Sequence, residues 1–194
     1  MKPLLVREEL LNRGMRVFTT LDFSRVFLKP PEQIQYFLET QTQQGLFIRL
    51  KKGLYALKTD LPSDEELANA LYKPSYLSFE YALSKYGIIP ESPYNLTSAT
   101  TNPTRLYTIA HQAYSYYTIK QKAYTGYYLD TGGGKRVLIA EPEKALADFL
   151  YFIAIGQRFW NDRFNISNLD KNKLITYAKL FKRPKVLELV EKLP

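Results

Sequence analysis

The sequence predicts an α+β chain in two parts: a helical N-terminal head ending in a basic hairpin, then an antiparallel sheet flanked by helices. Three observations carry this. The first sixty residues hold three short helical patterns followed by two alternating runs joined at "KKG". The middle of the chain turns β-branched and aromatic, in short runs separated by turn residues. From Glu141 onward helical periodicity returns.

In the head, Leu4, Leu5, Leu10 and Leu11 suggest a first helix, ended by Gly14. "RVFTT" is short and β-branched, with Thr19 or Thr20 available as an N-cap. "LDFSRVF" reads as a second helix with Leu21, Val26 and Phe27 apolar, broken by "LKPP". Pro31 suits the first turn of a third helix, Glu32 favours its positive end, and Gly45 closes it. Ile34, Phe37, Leu38 and Gln41 share one face of that helix. Glu32, Tyr36, Glu39 and Gln43 share the other, flanked by Gln33, Gln35 and Thr40. "GLFIRLKKGLYALK" then predicts a β-hairpin: Phe47–Leu50, a turn over Lys51–Gly53, and Leu54–Leu57.

Three helices followed by a basic hairpin have the order of a winged helix-turn-helix, over residues 1–60. In that arrangement the third helix enters the major groove. The hairpin is the wing, and Arg49, Lys51 and Lys52 at its tip would meet phosphate or the minor groove. Gln33, Gln35 and Tyr36 stand near the N-terminal end of the third helix, where base edges are reached, and Gln pairs bidentately with adenine. Glu32 and Glu39 face outward on the same helix and would repel phosphate. Many winged helices bind proteins instead, so a protein partner is the alternative for the head.

Charge points the same way. Net charge is +8 and the pI is near 9.4, a balance that favours anionic partners, nucleic acid above all. Residues 1–60 hold ten Lys/Arg against six Asp/Glu, so half of the excess lies in under a third of the chain. The absence of cysteine excludes disulfides, thiolate metal sites and a Cys nucleophile. A single histidine, His111, excludes a His-rich metal cluster and argues against a Ser–His–Asp triad. No run of 18 apolar residues is present, and Glu8 and Glu9 interrupt the first apolar pattern where a signal peptide would be continuous. The expectation is a cytoplasmic protein without membrane, metal or cofactor.

The second part, residues 61–194, follows a break at Leu61–Pro62. "LPSDEELANALY" opens with a capping box, Ser63 with Glu66, and carries a Leu67, Ala70, Leu71 stripe. "PSYLSFEYALSKYG" predicts another helix, ended by Gly87. "YNLTSATT", "RLYTIA", "AYSYYTIK", "GYYLD" and "RVLIA" predict four or five antiparallel strands. Helices follow over "EPEKALADFLYFIAIG", "LDKNKLITYAKLF" and "RPKVLELVEKL". Fourteen of the sixteen tyrosines lie beyond residue 60, at spacings that favour packing over base stacking.

Three motifs invite chemistry and have plainer readings. "TGGGKR" lacks the spacing of a phosphate loop and precedes a strand, so it predicts a hairpin turn. Glu141 and Glu143 sit where a helix start favours acids, and Asp148 is one turn beyond Lys144 and can pair with it. His111 lies in a short polar turn and reads as solvated. No catalytic residue emerges.

Taken together, "FTTLDFSRVF", "PEQIQYFLE", "GLFIRLKKGLYAL", "YLSFEYALSKYGIIPE", "TSATTNPTR", "YTGY" and "LIAEPEKALADFLYF" resemble the AbiEi family of antitoxins, regulators of phage-defence (abortive infection) operons. The likeness runs from about residue 15 to the C-terminus, and "AEPEKALADFLY" with "SFEYAL…YGIIPE" carries most of it. It implies a winged helix that binds inverted repeats in its own promoter and represses it, with self-association possible on DNA. It also implies a C-terminal domain that neutralises a nucleotidyltransferase-like toxin, in the type IV mode without a stable complex. The family's wing maps onto Arg49, Lys51 and Lys52, and its third helix onto Gln33 to Thr40. It supplies no catalytic residues. Two other readings stay open: an enzyme acting on nucleotides or nucleic acid with the winged helix as its docking module, and a stand-alone dimeric regulator.

Overall fold

The computed structural model describes residues 1–194, which fall into two units, Met1–Ser63 and Asp64–Pro194. Each has its own sheet. The class is mixed α+β: eight helices, a three-stranded antiparallel sheet near the N-terminus and a six-stranded mixed sheet, followed by C-terminal helices.

The first unit runs α1 (Pro3–Asn12), β1 (Val17–Thr19), α2 (Thr20–Phe27), α3 (Pro31–Gln43), β2 (Phe47–Lys51) and β3 (Leu54–Leu57). In α1 the core face is Val6 and Leu10, one turn apart, while Leu4 and Leu5 are exposed, contrary to the leucine pattern. Thr19 starts α2 through a reciprocal capping box: its Oγ1 accepts the Asp22 N–H at 3.0 Å, and the Asp22 carboxylate accepts the Thr19 N–H at 2.9 Å. Phe23, not Leu21, anchors α2. Its ring lies 4.4 Å from that of Phe27, 6.0 Å from Phe37 and 6.2 Å from Phe47. Phe18 joins the cluster at 5.5 Å from Phe23 and 5.3 Å from Phe47. Tilted and edge-to-face rings at such separations are favourable beyond their buried area. With Tyr55 of β3, 6.3 Å from Phe18, the cluster ties α2, α3 and all three strands to one core.

Strand order in the small sheet is β1-β3-β2, all antiparallel, so the hairpin gains a third strand from "VFT". The hairpin tip is shorter than the sequence suggests. Lys51 closes β2, and only Lys52 and Gly53 turn, with Gly53 at φ +73°. A register shift between Arg49 and Lys51 bends the strand just before the tip.

The second unit continues with α4 (Asp64–Leu71), β4 (Ser75–Leu77), α5 (Phe79–Lys85), β5 (Leu96–Thr100), β6 (Arg105–Ile109), β7 (Gln112–Thr118), β8 (Tyr127–Asp130), β9 (Val137–Ala140), α6 (Pro142–Ala154), α7 (Lys171–Leu180) and α8 (Pro184–Glu191). Its sheet corrects the antiparallel expectation. The order is β6-β7-β5-β4-β9-β8, and two pairs, β5–β7 and β4–β9, run parallel. The physical reason lies in burial: β4 and β5 are buried along their whole length, as central strands with parallel neighbours tend to be. β4 was itself expected as helix. "PSYLSFEYALSKYG" splits instead into a strand, a kink and a helix, with Phe79 at φ +55° starting the helix. A bulky residue in that left-handed region is strained and has to be held by its surroundings.

The Phe79 ring is held edge-on by those of Tyr117 and Phe152, at 5.4 and 5.0 Å. Tyr76 and Ser78 flank the strand end and both donate to Asp148 Oδ2, at 3.1 and 2.8 Å. Asp148 Oδ1 accepts from Lys144, one turn earlier on α6. Lys144 and Asp148 are completely buried, and the Lys144 ammonium lies 5.0 Å from the Phe181 ring centre and 5.7 Å from that of Tyr76. The expected i,i+4 pair is therefore a core feature, with the carboxylate satisfied by three donors. Burial pushes the Asp148 carboxyl up and the Lys144 ammonium down. Tyr76, Tyr114 and Tyr116 are fully buried on the sheet. "TGGGKR" forms a short 3₁₀ turn joining the antiparallel pair β8 and β9. His111 is exposed at the β6–β7 turn.

Candidate nucleic-acid interface

Helix α3 is built to show one side. Ile34, Phe37, Leu38 and Gln41 are buried. Glu32, Gln33, Gln35, Tyr36, Glu39 and Gln43 are therefore exposed, and Thr40 is half-buried. Tyr36, at 73% exposure, stands near the centre of the open face. At 3.6 residues per turn, Gln33 and Gln35 lie roughly 160° apart around the axis, on opposite flanks. They cannot address the same base pair.

Gln35 is on the flank beside the hairpin. It borders a groove of about 470 Å³ between α2, α3 and the hairpin. The groove also takes in Thr20, Leu21 and Ser24 from α2, Glu39 from α3, and Arg49, Lys52 and Gly53 from the hairpin. The structure thus gathers Gln35, Arg49 and Lys52 along one channel. Gln33, Tyr36, Thr40 and Lys51 lie outside its lining. Neither Arg49 nor Lys52 forms an ion pair, and both are exposed. Lys51 is half-buried at the end of β2, so it stands apart from the other two cations. Elsewhere in the unit, Arg7 pairs bidentately with Asp60 at 2.8 to 3.2 Å and Arg13 pairs with Glu9. The Thr59 hydroxyl, helped by the Arg7 guanidinium, holds the Asp60 carboxyl below the usual aspartate range.

Two local details shape the groove. The Thr20 N–H donates to the Gly53 carbonyl at 3.1 Å, which pins the hairpin tip to the start of α2. Gln35 donates its amide to Glu39 Oε1 at 3.0 Å. That bond engages one outward carboxylate and one of the two N–H donors of the Gln35 amide.

The sequence reading missed Thr20 and Ser24 as groove residues. They sit one turn apart on the same face of α2, with exposed Leu21 beside them. The available signal was the Thr19–Asp22 capping box, which fixes the helix start and hence its faces.

No protein-family model matches the chain, and no curated protein matches it. No helix is long and apolar enough to cross a membrane.

Proposed function

We propose that the chain is a DNA-binding autorepressor and antitoxin of the AbiEi kind, with residues 1–60 acting as a winged helix-turn-helix. The observation that carries the DNA-binding half is the groove that joins Gln35 on α3 with Arg49 and Lys52 on the hairpin. A helix offering amide side chains and a strand pair offering unpaired cations on the same channel suit a duplex: base edges on one side, phosphates on the other. The excess of positive charge in these sixty residues adds a sequence-independent attraction. The antitoxin half rests on the sequence resemblance alone, and a nucleotidyltransferase-like toxin is the partner it implies.

Mobility shifts on the DNA upstream of the protein's own gene, with random duplex as competitor, test the first half. Specific binding that weakens steeply with salt is the expected result; binding without preference for that DNA, or indifferent to salt, defeats it. Co-expression with the adjacent nucleotidyltransferase-like gene tests the second half, and failure to restore growth defeats that part alone.

A further inference from the structure

In the second unit, β4 and β9 are adjacent strands that pair at a single register position, Leu77 with Ile139. Toward Ser75 and Val137 they part. Asn69 of α4 stands in for the missing neighbour. Its Oδ1 accepts the Leu138 N–H at 2.5 Å and its Nδ2 donates to the Leu138 carbonyl at 3.2 Å. The sheet edge of β9 is thereby satisfied without being closed. A cleft of about 500 Å³ opens there, within the size range of small-molecule sites.

The chemistry of its walls is selective. Tyr124 and Tyr127 supply half-buried rings, and Ala70, Leu129 and Leu138 add apolar surface. Lys73 and Arg136 stand exposed at its margin, and neither side chain forms an ion pair. The one carboxylate on the wall, Glu66, accepts the Arg136 backbone N–H at 3.2 Å. Ser75 borders the cleft at 3% exposure, and its Oγ has no hydrogen-bond partner in the protein. A buried hydroxyl left unpaired is costly to the fold.

We infer that this cleft binds a small anion carrying a flat ring, of the nucleoside monophosphate class. The tyrosine and aliphatic walls take the ring, and Lys73 with Arg136 takes the phosphate. The site is separate from the DNA-binding groove and does not depend on the function proposed above.

Thermal shift and calorimetry on the full chain, with the four common ribonucleoside 5′-monophosphates, their nucleosides and inorganic phosphate, test it. At least one monophosphate should bind, and its nucleoside and inorganic phosphate should each bind at least about tenfold more weakly. K73A/R136A should lower that affinity by about tenfold or more, since both lost contacts are charge-assisted. K51A/K52A, in the hairpin, should leave it unchanged. Three results overturn the inference. They are no binding by any monophosphate at about millimolar concentration, binding that survives K73A/R136A, and inorganic phosphate or the bare nucleoside binding as tightly as the nucleotide.

Discussion

Asp148 accepts hydrogen bonds from Lys144, Tyr76 and Ser78, all of them out of solvent. A serine, a lysine, a tyrosine and an aspartate in mutual contact look like a reaction centre, but no substrate reaches a cluster with zero exposure at its ion pair. Its role is to fix the kinked strand-to-helix passage at Phe79. Removing one partner strands the other as a buried charge, so Asp148→Ala should cost about 3–5 kcal/mol in chemical denaturation. Lys144→Met with Asp148→Leu should recover much of that loss, because apolar replacements of similar volume leave no orphan charge. A second residue-scale constraint is Gly126, at φ +72°, where a Cβ would stand 2.6 Å from the Tyr177 ring. Gly126→Ala should destabilise by about 1–3 kcal/mol, from backbone strain and overlap together. In a Tyr177→Ala background the overlap vanishes and only the strain remains, so a double-mutant cycle reads the two apart.

At the scale of the element, two carboxylates reach α7: Glu143 accepts the Asp170 N–H at 3.2 Å and lies 3.5 Å from Lys173, and Glu141 makes the closer contacts. Glu141 accepts from the Tyr177 hydroxyl and from Lys173 at 3.0 Å. Burial alone would raise the Glu141 carboxyl, but these two donors hold it below its ordinary value. A folded-state value below the unfolded one means stabilisation that is present at neutral pH and lost as pH falls through the acid range. Melting curves of the wild type and Glu141→Gln should therefore differ most near neutrality and converge in acid; a gap that widens in acid contradicts the assignment. For α3 the test is discrimination between DNAs. If Gln35 reads a base, Gln35→Ala should cost about 1–3 kcal/mol on the operator and little on random duplex. Gln33, on the opposite flank and off the groove, should show the smaller effect in the same titrations.

For the molecule as a whole, the net charge of +8 favours attraction to polyanions, and on the proposed function the hairpin cations deliver part of that charge. Each lysine that meets a phosphate contributes about 0.9 to the slope of log K against log salt. Changing Lys52 alone to Ala should thus lower the slope by roughly one, and Lys51 with Lys52 by up to roughly two, while surface changes of this kind move stability within about 0.5 kcal/mol. Since Lys51 is half-buried and off the groove, the second lysine should add less than the first. On the proposed division of labour, R49A/K52A in the full chain should lose repression of its own promoter and still rescue cells from the toxin. Loss of both in a folded variant rejects that division.

Local patterns determined a good deal of this protein. Prolines 31, 142 and 184 and the Thr19–Asp22 pair mark helix starts through rules that act within one turn, and α3's buried face follows from a period of 3.6. The hairpin at "KKG" is equally local, because turn and strands adjoin in sequence. The α+β class and the placing of Lys144 one turn from Asp148 were legible for the same reason. Tertiary structure decided what depends on distant partners. Alternation along a strand says which residues share a face but not which strand lies beside it, so the parallel pairs β5–β7 and β4–β9 were hidden. A three-residue strand such as Ser75–Leu77 is too short to show a period, and only its pairing with Thr100, Ala99 and Ser98 makes it one. The gathering of Gln35, Arg49 and Lys52 on one groove, and of Lys73, Ser75, Tyr127 and Arg136 around one cleft, joins residues remote in sequence. The core that brings them together is built mostly from other side chains, buried on both sides of the sheets.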